Sequence, residues 1–182
     1  MESLKILMSA YACEPSKGSE PGVGWRWALE TARLGHEVWT VTRENNRAGI
    51  EAGLAPLGAA LASRLHFVYY DLPPRLRTWK RGGRGVHLYY FLWQWGAYRR
   101  ARQLHRRQRF DAVHHITFGV TRQPSFMGRL GIPFVLGPLG GAERAPLALR
   151  RHFPFAGFVR DMARDVANAV TDVLLRWSPS SQ

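Results

Sequence analysis

Glycines, carboxylates and histidines concentrate in three short segments of this chain. The first is Ser9-Ala-Tyr-Ala-Cys-Glu-Pro-Ser-Lys-Gly-Ser-Glu-Pro-Gly-Val-Gly-Trp25, where Gly18, Gly22 and Gly24 are interspersed with Glu14, Ser19 and Glu20. The second carries the adjacent pair His114 and His115, and the third is Gly137-Pro-Leu-Gly-Gly141 followed by Glu143. A glycine-rich loop between a strand and a helix aims backbone N–H groups and a helix N-terminus at an anion, most often a phosphate. Neither common phosphate fingerprint fits. Reading Gly22 and Gly24 as the start of Gly-x-Gly-x-x-Gly puts Trp27 at the third glycine, and no Gly-Lys-Ser/Thr is present.

Adjacent histidines on a strand point to opposite faces, so His114 and His115 cannot share one metal ion there. With no His-Glu-x-x-His or paired-cysteine motif, no metal site is expected. One histidine is expected to face a ligand crevice as hydrogen-bond partner or proton carrier, and the other to pack under a helix. Glu14 and Glu20 either orient a sugar or basic group or cap loop N–H groups. Gly140 and Gly141 either permit close backbone approach to a ligand or form a plain turn.

The elements that must position these residues follow from the apolar pattern. Residues 4–11, 38–42, 65–70, 111–117 and 132–136 read as five short strands, the first an apolar run suited to a strand buried on both faces. Helical spacing begins near Gly24 and stops at Gly35. It returns in pieces over 45–61, continuously over 86–108, briefly over 124–130, and finally on the face marked by Phe158, Met162, Val166, Val170, Val173 and Trp177. Strands alternating with helices imply one α/β domain over 1–182, a Rossmann-like doubly wound parallel sheet. Ligands in such sheets bind beyond the carboxyl ends of the strands, where strand order reverses. With the order 3-2-1-4-5, the three unusual segments converge on that edge.

At 182 residues the chain has a real core, and 46% apolar residues argue for a folded globule. Its one cysteine, Cys13, excludes an internal disulfide and fits a reducing, cytoplasmic compartment. The most apolar window, 86–95, is about half the ~20 residues a bilayer span needs. Formal charge is the outlier at +13, with eleven Lys or Arg and no Asp or Glu between residues 75 and 109. Arg75, Arg77, Lys80, Arg81 and Arg84 open that stretch. It is either a solvated face or a field for anionic partners.

The motif quoted first, with Gly35-His-Glu-Val, Phe110-Asp-Ala-Val-His-His-Ile-Thr-Phe-Gly119 and Ile132-Pro-Phe-Val-Leu-Gly-Pro-Leu-Gly-Gly141, resembles the N-terminal half of family 4 retaining glycosyltransferases of the GT-B fold. The resemblance spans nearly the whole chain. It implies an acceptor-side domain facing a second Rossmann-like domain that holds a nucleotide-diphosphate sugar as co-substrate, with no cofactor. Carried over, Gly18, Ser19, Glu20, Gly22 and Gly24 match the loop approaching the donor diphosphate. His115, with His114 as alternative, matches a histidine near the transferred sugar, and Glu14, Gly140, Gly141 and Glu143 match the cleft. Family members also carry a glutamate, seven residues and a second glutamate in the C-terminal domain, and no pair here has that spacing. The expectation is therefore half an enzyme, inactive alone, whose donor-binding domain is absent or on a separate subunit. Its partners would be a nucleotide sugar, a glycan or lipid-linked acceptor and an anionic membrane touched peripherally, with no specific nucleic acid. The alternative from another class is a non-catalytic basic module using residues 75–109 to bind anionic membrane or nucleic acid.

Overall fold

Five parallel strands in the order β3-β2-β1-β4-β5 form the sheet of this protein. They are β1 (Lys5–Ser9), β2 (Glu37–Thr42), β3 (Leu65–Tyr69), β4 (Ala112–His115) and β5 (Phe134–Leu136). The computed structural model describes residues 2–76, 85–118, 125–140 and 145–176. Strand order reverses between β1 and β4, which pair in parallel with Ser9 opposite His115. This is the α/β, Rossmann-like arrangement expected from the sequence. The β-branched and apolar runs of β1 and β2 suit strands covered on both faces.

β1 feeds both sides of the sheet by simple alternation. Leu7 enters a core with Val41, Val113 and the helix α4 (Val86–Gln108), which contributes Tyr89, Tyr90, Trp93, Ala97 and Ala101. Met8 enters the opposite core with Val38, Leu65 and Ile116 beneath Ala28 and Ala32 of α1 (Ser19–Arg33). The helices α2 (Arg47–Leu54) and α3 (Ala59–Ala62) take up the broken 45–61 segment, divided at Pro56 and Gly58. The helix expected over 124–130 is a 3₁₀ turn, Phe126–Leu130.

The largest departure from the sequence reading is the start of α1. The helix begins at Ser19, so Gly22 and Gly24 lie inside it rather than in a loop. Glu20 sits in its first turn, favourable against the helix dipole, and Pro21 falls where an N–H has no helical partner anyway. The two glycines weaken the helix by themselves. They are required by close approach: a Cβ on Gly22 would lie 2.1 Å from the Lys17 carbonyl oxygen, and one on Gly24 2.2 Å from that of Ala12. Gly35, at φ +98, supplies the left-handed residue that ends the helix.

Chain contacts divide the protein into two compact units. The sheet, α1 to α4 and the 3₁₀ turns lie in Met1–Phe118 with Ser125–Pro138; Leu139–Gln182 belongs to the second. That second unit holds α5 (Leu147–Arg150) and α6 (Phe155–Arg176), joined by an ion-pair cluster. Arg150 bonds Asp161 at 3.0 Å and also reaches Asp165, while Arg164 bonds Asp161.

Replacing Gly24 with Ala is expected to lower unfolding stability by about 1–3 kcal/mol, the usual cost of overpacking against a rigid neighbour. Gly58 has open space around a Cβ and an ordinary φ of −61. Gly58 is also the N-cap of α3, where Ala is less favourable than Gly, so Gly58→Ala should cost less than about 1 kcal/mol, below the Gly24 change. Urea denaturation of both variants beside the parent measures the contrast.

Candidate functional site

The carboxyl edge of the sheet at the β1–β4 reversal is built around Tyr11. Its carbonyl accepts from Arg43 Nε at 3.0 Å and Asn46 Nδ2 at 3.1 Å, fastening the end of β1 to the end of β2. Its ring meets Tyr90, Trp93 and Phe118 edge-on at 5.1, 5.1 and 5.3 Å, and the Arg43 guanidinium lies 4.0 Å over it. Ala12 N–H donates to Thr117 Oγ1 at 3.1 Å, and Glu14 N–H to the Pro21 carbonyl at 2.9 Å. From Ala10 to Cys13 the chain is buried; from Ser16 to Glu20 it is exposed. The loop thus has a rigid root and an open tip.

At the tip, Gly18 precedes α1 as its N-cap and no side chain caps the helix. A helix start without a side-chain cap leaves first-turn N–H groups for solvent or an anion. Pro21 has no N–H, and Gly22 and Gly24 lie far enough into α1 to donate within it, so Ser19 and Glu20 carry that capacity. Ser16 and Ser19 adopt φ of 61 and 56, left-handed values uncommon for residues with a side chain. Glu20 ties this end to the segment that follows β4, its Oε1 accepting from Phe118 N–H at 3.0 Å. Glu14 pairs with Lys17 at 2.8 Å. Both glutamates therefore hold the loop in shape, and Glu20 takes the N–H-capping alternative raised by the sequence.

The two histidines part as strand alternation requires, and the buried one is His115. It lies under α4, only 2% exposed, with Nε2 2.9 Å from Tyr90 Oη and Nδ1 2.9 Å from Ser125 Oγ. Burial pushes its pKa down to about 4, against a smaller opposing backbone bond at Thr117, so the ring is neutral at pH 7. His114 faces the α1 side, where Nε2 donates to the Gly137 carbonyl at 2.9 Å and the ring meets Trp27 edge-on at 5.0 Å. Burial lowers its pKa as well. It borders an apolar groove of about 490 Å³ over β1, β4 and β5, lined also by Met8, Trp27 and Val135. His115 was matched to the sugar-facing position; of the two histidines, His114 is the one that borders an opening.

Cys13 is fully buried and its thiol is pushed up to about 12, first by burial and then by Glu14, so it is an inert packing group. Gly140 lies in the second unit with open space around a Cβ. Arg75 sits in the 3₁₀ turn Pro74–Leu76. Gly141, Glu143, Arg77, Lys80, Arg81 and Arg84 lie outside the described residues. Among the described residues, no group of three or more His, Cys, Asp or Glu side chains is placed to hold a metal ion.

Sequence reasoning missed Arg43, Asn46, Tyr90, Thr117 and Ser125, which join the segments. Asn46 is fully buried and also bonds Thr42 Oγ1 at 2.7 Å. In the sequence it reads as the start of the broken helical segment 45–61, and nothing local marks its bonds back to Tyr11 and Thr42.

No protein-family model and no curated protein matches this chain. Among solved structures, UGT73P12 of Glycyrrhiza uralensis, complexed with glycyrrhetinic acid 3-O-monoglucuronide, aligns over 73% of this chain at 14% identity with a TM-score of 0.47. SsfS6, a glycosyltransferase of Streptomyces sp. SF2575, aligns over 72% at 24% identity with a TM-score of 0.43. The aligned regions cover 27% and 38% of those two chains, well under half of either.

The His115 geometry has a pH signature. Its folded pKa, about 4, lies below the ordinary 6.5, so the unfolded chain binds the extra proton between those values. Its contribution to stability is present above pH 6.5 and is lost as pH falls toward 4, on the order of 3 kcal/mol in total. Denaturation of the parent and of His115→Gln from pH 7 to pH 4 tests this, and the variant should show a flatter profile over that window.

Proposed function

We propose that this chain is the acceptor-side domain of a retaining glycosyltransferase, moving a hexose from a nucleotide-diphosphate sugar to a glycan or lipid-linked acceptor. The observation that carries the reading is the juxtaposition at the sheet reversal. The most specific motif of the resemblance, Ser9 to Trp25, lies at the carboxyl edge between β1 and β4, its tip an exposed helix start without a side-chain cap. That is the location at which doubly wound sheets bind ligands.

On this reading the donor diphosphate is met by the N–H groups of Ser19 and Glu20 and by the positive end of α1. Fixed dipoles there stabilise charge that develops on a departing diphosphate without reorganising during the reaction. Gly22 and Gly24 act one step removed, letting α1 close onto the loop root so that its N-terminus is aimed. His115 and Tyr90 position β4 against α4. His114, half-buried and neutral at pH 7, is the candidate for contact with sugar or acceptor. The spaced pair of glutamates that grips the donor in the family this chain resembles does not occur within residues 1–182, so these residues by themselves should turn over little.

Ser19→Asp places a carboxylate where the diphosphate would lie, at a left-handed position aspartate tolerates. The variant should stay folded and bind uridine, guanosine and thymidine diphosphates at least about 10-fold more weakly than the parent by calorimetric titration. Equal affinity would remove α1 from the site. Incubating the parent with a panel of nucleotide sugars and following nucleotide release should show negligible turnover; robust turnover would refute the half-enzyme reading while leaving the binding site intact.

A further inference from the structure

α4 carries one exposed stripe running its whole length. Leu88, Phe91, Trp95, Arg99, Arg102 and Arg106 recur at steps of three, four, four, three and four, which places them on a single helix face, and all six are exposed. The stripe is sorted along the axis: its first half is apolar and its second half is arginine. Each half spans about 10 Å at the helical rise. The opposite face of α4 is the one buried on the sheet, through Tyr89, Tyr90, Trp93, Ala97 and Ala101, so the stripe is not a displaced core.

Two features show that this stripe is organised. Phe91 and Trp95 each meet Phe126 edge-on at 5.3 Å, and the Arg129 guanidinium lies 5.5 Å over the Phe126 ring, so the apolar half is a supported ridge with a cation at its border. The second half is also free to take an anion: Arg99, Arg102 and Arg106 have no ion-pair partner among the described residues, as is true of Arg26, Arg107 and Arg109 as well. Beside the stripe lies a recess of about 350 Å³ lined by Tyr70, Gly96, Arg99, Arg100 and Gln103, with the Tyr70 hydroxyl packed against Gly96. Guanidinium forks and a phenol hydroxyl are suited to phosphate oxygens.

We propose that this face of α4 docks on an anionic phospholipid surface. Leu88, Phe91 and Trp95 enter the boundary between headgroups and acyl chains, and Arg99, Arg102 and Arg106 lie among the lipid phosphates. Aromatic rings and leucine on one helix face with unpaired arginines are the ingredients of interfacial helix binding. Nucleic acid is the less suitable occupant. Leu88 offers no stacking surface, the aromatics form a ridge packed on Phe126, and the arginines follow the aromatics rather than lining a groove with them. Among the described residues, no helix is long and apolar enough to cross a membrane, so the contact is superficial. The proposal stands apart from the transfer reading, because it uses none of the residues at the α1 end.

Flotation of the full 182-residue chain with phosphatidylcholine vesicles, with and without about 30% phosphatidylglycerol, tests it. The chain should float with the anionic vesicles and not with the neutral ones. Each arginine near such a surface contributes about fivefold in partitioning, so Arg99→Glu/Arg102→Glu/Arg106→Glu should reduce binding by at least about 100-fold. Phe91→Ser/Trp95→Ser should reduce it at least about 10-fold at unchanged charge, and Arg26→Glu, on exposed α1 surface, should alter it less than about threefold. Circular dichroism confirms that each variant is folded. Binding that survives the triple reversal, or equal binding to neutral vesicles, would overturn the proposal. So would tight binding of a labelled single-stranded oligonucleotide through the same arginines without vesicle binding. Charge dependence with no effect of the Phe91 and Trp95 changes would refute insertion.

Discussion

The packing of Tyr11 is the contact on which the rest of this architecture depends. Two residues past β1, the chain must leave the sheet and also hold a loop in place at the point where strand order reverses. Tyr11 does both. Its carbonyl draws in Arg43 and Asn46 from the end of β2, and its ring is enclosed by Tyr90 and Trp93 of α4 and by Phe118 after β4. Edge-on aromatic contacts of this kind are worth about 0.5–1.5 kcal/mol each beyond the area they bury. The loop from Ala10 to Cys13 is consequently as buried as a strand, and only its tip is free for a ligand.

From that root the chemistry of the edge is narrowed by burial. Two reactive side chains at this edge, Cys13 and His115, are withdrawn from reaction, one as a high-pKa thiol and the other as a neutral ring with both nitrogens occupied, while His114 borders an opening. At the tip of α1 what is open to a ligand is mostly backbone and helix dipole. A site of that kind binds and stabilises an anion better than it moves protons.

The fold was largely legible in the sequence because its signals are local. All five strands stand where β-branched and apolar runs place them, and α4 matches its periodic segment at both ends, Val86 and Gln108. The start of α1 was misplaced because Gly18, Gly22 and Gly24 read as a loop. Ser-Glu-Pro at 19–21 is an equally clear helix-start signal, and the contacts that require glycine at 22 and 24 come from carbonyls outside the helix. Alternation along β4 separated His114 from His115 but could not say which side was roofed. That depends on Tyr90 and Ser125, 25 and 10 residues away in sequence. In the sequence 86–108 reads as a helix apolar in its first half and arginine-rich in its second; only exposure shows which arginines share a face with Leu88, Phe91 and Trp95.

The central claim, that the Ser9 to Trp25 segment presents a diphosphate site at the tip of α1, is most directly tested by amide-resolved NMR of the chain titrated with uridine diphosphate. The account predicts saturable shifts at Gly18, Ser19, Glu20 and Phe118, the last through Glu20, with the buried amides of Ala10 and Cys13 little changed. Shifts confined to the arginines of α4, or no response at Ser19 and Glu20 at millimolar nucleotide, would contradict it.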